Sequence, residues 1–173
     1  MKNVFEIQVA YKTLNDQPRT KKLYFHLNPI EFADWMSANP AEAMILERDF
    51  KGLEDALQID GEATTEQKYT VLRLVKILSE LSHGIPSEDG EYFDKSRNDQ
   101  FLQSMAYQAF RLSLFSDPQN MDKFFGTILN DEVMKQFQEV VTSAATPADD
   151  KDALIADMKR KLALAEGSKS ESD

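Results

Sequence analysis

Thr64-Thr65-Glu66-Gln67-Lys68-Tyr69-Thr70-Val71-Leu72-Arg73-Leu74-Val75-Lys76-Ile77-Leu78-Ser79-Glu80-Leu81-Ser82-His83-Gly84 carries both the opening signal and the apolar period of a long helix. Thr64 to Gln67 supply hydroxyl and acidic start chemistry, and Leu72, Val75, Leu78 and Leu81 then recur at three- and four-residue steps, which puts them on one face. Gly84 is expected to end that helix in the left-handed conformation, with His83 on its last turn against exposed carbonyls. Ile85-Pro86-Ser87-Glu88-Asp89-Gly90 follows as a loop in which Asp89-Gly90 makes a tight turn, glycine supplying the positive φ. Ser96, with Asp99, is expected to cap the next helix, which carries Phe101, Leu102, Met105, Ala109, Phe110 and Leu112. Gly84, Asp89, Gly90 and Ser96 are thus read as a structural corner between two helices, with Phe93, Tyr107 and Phe110 as aromatic core beneath it.

Toward the N-terminus the period changes. Phe5, Ile7, Val9 and Tyr11 alternate with Glu6 and Gln8, and Leu23, Phe25 and Leu27 alternate again after the turn chemistry of Asn15-Asp16-Gln17-Pro18, so residues 3–27 read as a β-hairpin. His26 is expected to face outward on its second strand. Beyond it, Asn28-Pro29, Asn39-Pro40 and Asp117-Pro118 pair an Asx cap with proline at the first helical position, and Thr146-Pro147 is a hydroxyl version. Glu31 and Glu42 at the third helical position can bond back to their caps and lie in the positive field of the helix start. Helices are expected near 29–38 and 40–50, then one carrying Met121, Phe124, Phe125 and Ile128, and another near 131–142 carrying Val133, Met134, Phe137 and Val140.

The fold class expected is mainly α (α+β): a compact helical bundle with an N-terminal hairpin and a C-terminal amphipathic helix. Residues 1–142 form the hairpin and bundle domain. Residues 143–150 are small and polar, as suits a linker. Residues 151–166 are the amphipathic helix, with Leu154, Ile155, Met158 and Leu162 in one stripe, and 167–173 a disordered tail.

Composition narrows the chemistry. The chain has 173 residues, 42% of them hydrophobic and 29% charged, which is enough for one core and a soluble surface. Its net charge of −10 repels phosphate backbones and anionic membranes, so neither nucleic acid nor membrane is expected as a partner. Five Lys/Arg against two Asp/Glu give the first 27 residues +3, leaving −13 on the remainder. Without cysteine there is no disulfide, thiolate nucleophile or Cys-type metal site, which fits a reducing cytosol. No apolar run has the length of a signal sequence or a membrane span, so a soluble, untargeted protein is expected.

No catalytic constellation emerges. Neither histidine has a catalytic setting, His26 facing outward on a strand and His83 standing on a helix's last turn, and the carboxylates are scattered over polar faces. Around Gly90 an EF-hand register would need carboxylates at Ile85 and Ser96, and around Gly61 at Ala56 and Gln67, so both calcium matches fail. Phosphate-loop, nucleophile-elbow and His-Glu-x-x-His patterns are absent. No cofactor and no metal are expected, and the protein is not expected to be an enzyme.

Ile77-Leu78 with Leu81 and Gly84, then Ser87 to Ser96, Ala106-Tyr107 with Phe110, and Phe125-Gly126-Thr127-Ile128 together resemble the tail assembly chaperones of long-tailed bacteriophages. Leu23-Tyr24-Phe25-His26-Leu27 resembles that family's strand before its first helix. The resemblance implies binding rather than catalysis: holding the tape measure protein soluble in the host cell cytoplasm, helping to recruit tail tube protein subunits, and staying out of the mature tail. It leaves the binding surface open. The Leu154, Ile155, Met158 and Leu162 stripe is the candidate partner-binding or homo-oligomer surface, the alternative being that it folds back on the bundle. A different reading of the charge alone is an acidic adaptor or inhibitor that mimics nucleic acid and binds a basic protein.

Overall fold

The computed structural model describes residues 3–57, 64–145 and Arg160. The elements in chain order are β1 (Phe5–Lys12), β2 (Pro18–Phe25), α1 (Pro29–Ala38), α2 (Pro40–Leu57), α3 (Thr65–Ser82), β3 (His83–Pro86), β4 (Phe93–Asp94), α4 (Asn98–Leu102), α5 (Met105–Ser116), α6 (Pro118–Ile128) and α7 (Asp131–Ala145). The fold is α+β, mostly helix with a small antiparallel sheet. The chain divides after Phe137, inside α7, into the units Met1–Phe137 and Gln138–Asp173. Leu154, Ile155, Met158, Leu162, the Thr146-Pro147 start and the 167–173 tail lie outside the described residues; Ser143 to Ala145, read as the start of a linker, are helical.

Helix starts follow their local chemistry. The Asn28 side chain accepts from the amides of Ile30 and Glu31 ahead of α1, Thr64 and Gln67 exchange hydrogen bonds as a capping box ahead of α3, and Asp117 accepts from Gln119 ahead of α6. At the α1–α2 joint, Asn39 donates its side-chain amide to the Trp35 carbonyl and so closes the helix before it.

The hairpin is larger than its sequence pattern. Strands β1 and β2 pair in unbroken register from Phe5↔Phe25 to Lys12↔Pro18. Strand β3 then joins β2 through Tyr24↔Gly84 and Phe25↔His83, and β4 joins β3, giving the antiparallel order β1-β2-β3-β4. Phe25, fully buried, is the hub: Phe110 stacks on it at 4.5 Å between ring centres, and Phe5, Phe101, Phe124 and His83 surround it within 5.9 Å. Offset and edge-on geometries of this kind are the favoured ones for rings and add to the large area each buries. A second aromatic group joins α1, α2 and α7, where Phe137 stacks on Phe32 and meets Phe50 edge-on at 5.0 Å.

One buried charge ties α2 to α3. Asp49, 2% exposed, receives two hydrogen bonds of 2.8 Å from the Arg73 guanidinium, and Arg48 approaches at 3.4 Å. A carboxylate this deep in a core needs such a forked partner, since its burial alone would cost several kcal/mol.

Candidate functional site

The segment from His83 to Asn98 is folded around the C-terminal end of α3. A helix leaves its last four carbonyls without intrahelical partners. Here all four are taken: Ser79 by the His83 amide, Glu80 by the Asn98 side-chain amide at 2.7 Å, Leu81 by the Lys95 ammonium at 2.9 Å, and Ser82 by the His26 amide at 2.7 Å. Lys95 also reaches Glu31 at 2.5 Å, which draws the start of α1 to the same corner and uses the carboxylate expected to bond back to its own cap.

Two corner residues, and the helix beyond them, therefore differ from the sequence expectation. Gly84 does not end a helix; it is buried in β3 opposite Tyr24 with an ordinary strand backbone. Its lack of a side chain serves packing, because a Cβ there would lie 2.5 Å from the Phe93 ring and 2.7 Å from the Asp94 carbonyl. Ser96 is not a helix cap. Its amide donates to Asp94 at 2.9 Å, which together with the Ser96 hydroxyl holds the Asp94 carboxyl below the usual range, and α4 starts two residues later. The helix expected through Phe101 and Leu112 is two helices, broken where Ser104 bonds the Phe101 carbonyl and caps α5; Leu112 then faces solvent.

His83 is also displaced from its expected role. It sits past the end of α3, buried, with its ring flat on Phe101 at 3.5 Å between centres. Its Nδ1 lies 2.8 Å from Asn98 Oδ1, and since the Asn98 NH₂ donates to Glu80, that oxygen accepts and Nδ1 carries the proton. Burial pushes the imidazole below its ordinary value, so it is neutral and cannot serve the helix end as a cation. His26 is likewise half-buried rather than outward: Nδ1 meets the Asn3 carbonyl at 2.9 Å and the ring meets Phe93 edge-on.

The Asp89-Gly90 turn agrees with its sequence reading. Gly90 has φ +74°, its amide donates to the Ser87 carbonyl, and the Asp89 carboxylate accepts from the Ser87 hydroxyl and the Glu91 amide, which lower its pKa. Below the corner, Tyr107 and Phe110 are buried as expected, and Phe93 is half-buried over Gly84. The Tyr107 hydroxyl is buried without a hydrogen bond of normal geometry, and burial raises its pKa.

In the corner, the side chains of Ser87, Asp89, Asp94, Lys95 and Asn98 are all held in hydrogen bonds with neighbouring groups. Among the described residues no group of three or more His, Asp or Glu side chains is placed to hold a metal ion, and no helix is long and apolar enough to cross a membrane. A shallow groove of about 400 Å³ lies at the far end of the hairpin, lined by Ala10, Tyr11, Lys12, Pro18, Arg19 and Thr20. It offers cations and backbone, with no acid–base pair.

A family described as phage tail assembly chaperone matches this chain over residues 4–173. The chain belongs to that family. In this tail assembly chaperone, Gly84 and the Ser87–Ser96 segment, on which the resemblance to the family was noted, are folded at the end of α3, where Lys95 bonds the Leu81 carbonyl. The family is not an enzyme class. No curated protein and no solved structure matches the chain.

Two features of the site escape a reading of the sequence. The Asp49–Arg73 pair spans residues 24 apart, and the Lys95 and Asn98 clamps act on carbonyls 14 and 18 residues away, so only their residue types were visible locally.

Proposed function

We propose that this tail assembly chaperone binds the tape measure protein of its phage, keeps it soluble in the infected host's cytoplasm and helps bring tail tube subunits to it, without entering the mature tail. Membership of the family is the observation that carries this reading. A tape measure protein is a long helical chain, and before assembly its apolar faces invite aggregation. A chaperone that covers them needs apolar side chains at its own surface and a charge that keeps the complex dispersed. The chain has both. Its net charge is −10, and Ala41, Met44 and Ile45 form an outward apolar stripe on α2 at helical spacing, with Met44 72% exposed. Leu112 and Phe115 add a second exposed pair on α5. The Leu154, Ile155, Met158 and Leu162 stripe is proposed to join them in partner binding or self-association.

Co-expression with the tape measure protein tests the reading. It predicts that the partner stays soluble and co-elutes with the chaperone, and that Met44→Lys with Ile45→Lys reduces recovery while leaving the chaperone folded. A tape measure protein that remains insoluble when co-expressed with the chain would overturn it. Capture of a basic protein in place of the tape measure protein would favour the acidic adaptor instead.

A further inference from the structure

The far half of the hairpin, from Pro18 to Lys22 on β2, forms an exposed arm, and the outer edge of β1, with Gln8, Ala10 and Lys12 exposed, is open. The hairpin's turn fixes which backbone groups face where. Thr13 donates its amide to the Gln17 carbonyl, with Asp16 in the left-handed conformation at φ 59°, so Thr13 and Gln17 are a bonded pair. Antiparallel ladders alternate bonded and non-bonded pairs, and Lys12 opposite Pro18, which has no N–H, takes the non-bonded place. It follows that Phe5, Ile7, Val9 and Tyr11 bond to β2, while Glu6, Gln8, Ala10 and Lys12 turn their N–H and C=O groups outward. Among the described residues β1 pairs with β2 alone, and those outward groups meet no other backbone.

Proteins ordinarily guard such an edge with proline, a bulge or charge. Strand β1 has none of these from Ile7 to Tyr11, and its register with β2 is unbroken. The arm is cationic in an acidic protein. Lys12 and Lys22 are paired at the surface with Asp16 and Glu6, whereas Arg19 and Lys21, opposite Tyr11 and Val9, make no ion pair among the described residues. Both lie on β2, roughly 10 Å from where a new strand beside β1 would run, about one Debye length and within reach of their side chains. Two copies pairing β1 to β1 would bring like charge together.

We propose that the free edge of β1 is a docking strand for an extended acidic segment of a partner protein, which adds to the sheet through the outward groups of Gln8, Ala10 and Lys12. Backbone pairing gives the affinity, and Arg19 and Lys21 select for carboxylates on the added strand. The surface is independent of the apolar faces proposed for the tape measure protein, so each can fail without the other.

The probe is a capped peptide alternating valine and glutamate over the length of β1, added to the full chain while amide exchange is followed by NMR. Slowed exchange at Gln8, Ala10 and Lys12, with weaker binding at higher salt, is the expected result. Ala10→Pro removes an outward N–H without touching the β1–β2 ladder and should weaken binding by about tenfold or more. Arg19→Glu with Lys21→Glu should weaken it and flatten its salt dependence. No protection at peptide excess, equal binding of the valine–lysine counterpart, or protection of the same amides by the chain's own self-association would each overturn the proposal. Unchanged circular dichroism of the variants separates lost binding from lost fold.

Discussion

The two β-ribbons of this protein share a sheet and treat their polar groups in opposite ways. The β3–β4 ribbon is short, four residues against two, yet its loop and flanks satisfy themselves and the end of α3 with internal hydrogen bonds. The β1–β2 ribbon is eight residues against eight, and its far half, from Pro18 to Lys22 on one strand, is exposed with a row of outward backbone groups. The difference teaches how to divide this chaperone: the ribbon that uses up its polar groups is scaffold, and the one that leaves them open is available to others.

Both ribbons lean on Phe25, so the severest test removes it. Phe25→Ala should cost about 3–5 kcal/mol and melt the scaffold and arm together, read as a shift in the denaturant midpoint. Loss of one ribbon alone would show that they do not share a core. Gly84→Ala is next, at about 1–3 kcal/mol, because the new Cβ must displace the Phe93 ring and the Asp94 carbonyl. That substitution acts only on the corner, and the amides of β1 beyond Val9 should keep their exchange rates. Were Gly84 a left-handed helix cap, an asparagine there would be tolerated as well as glycine; in this strand it should cost more than alanine.

Acid gives a graded version of the same test. The folded state holds the His83 pKa below its ordinary 6.5, so the unfolded chain binds the extra proton first. Stability is then complete above pH 6.5 and falls as pH drops below it, by at most about 1.4 kcal/mol per pH unit until the folded pKa is reached. Asp89 and Asp94, lowered from 3.8, lose their contribution only in the more acidic range, so the two windows separate. Urea titrations of the native chain and of His83→Asn across this range should show the first slope in the native chain alone. Smallest is Arg19→Glu on the arm, which should change stability by less than about 0.5 kcal/mol, since an exposed side chain without an ion pair holds nothing in place.

What could be read from the sequence was what local chemistry decides. Asn28, Thr64 and Asp117 cap helices because a side chain and an amide two or three residues apart settle the matter. The β1–β2 pattern was visible because alternation and turn residues sit together. Strands β3 and β4 were not, because so few residues carry no period; Gly84 becomes a strand residue only when Tyr24, sixty positions earlier, lies beside it. Ser96 looked like a cap by type, but Asp94 takes its amide first. The arm's charge was legible and its open edge was not, since an edge is defined by what the rest of the chain leaves uncovered.

The most direct measurement is amide hydrogen exchange on the full chain with and without its bound tail protein. If the corner is scaffold, the amides from His83 to Asn98 will keep their rates on binding, and new protection will fall on the outward faces and the open arm. New protection concentrated at Ser87 to Ser96 would contradict the account and make the corner the binding site.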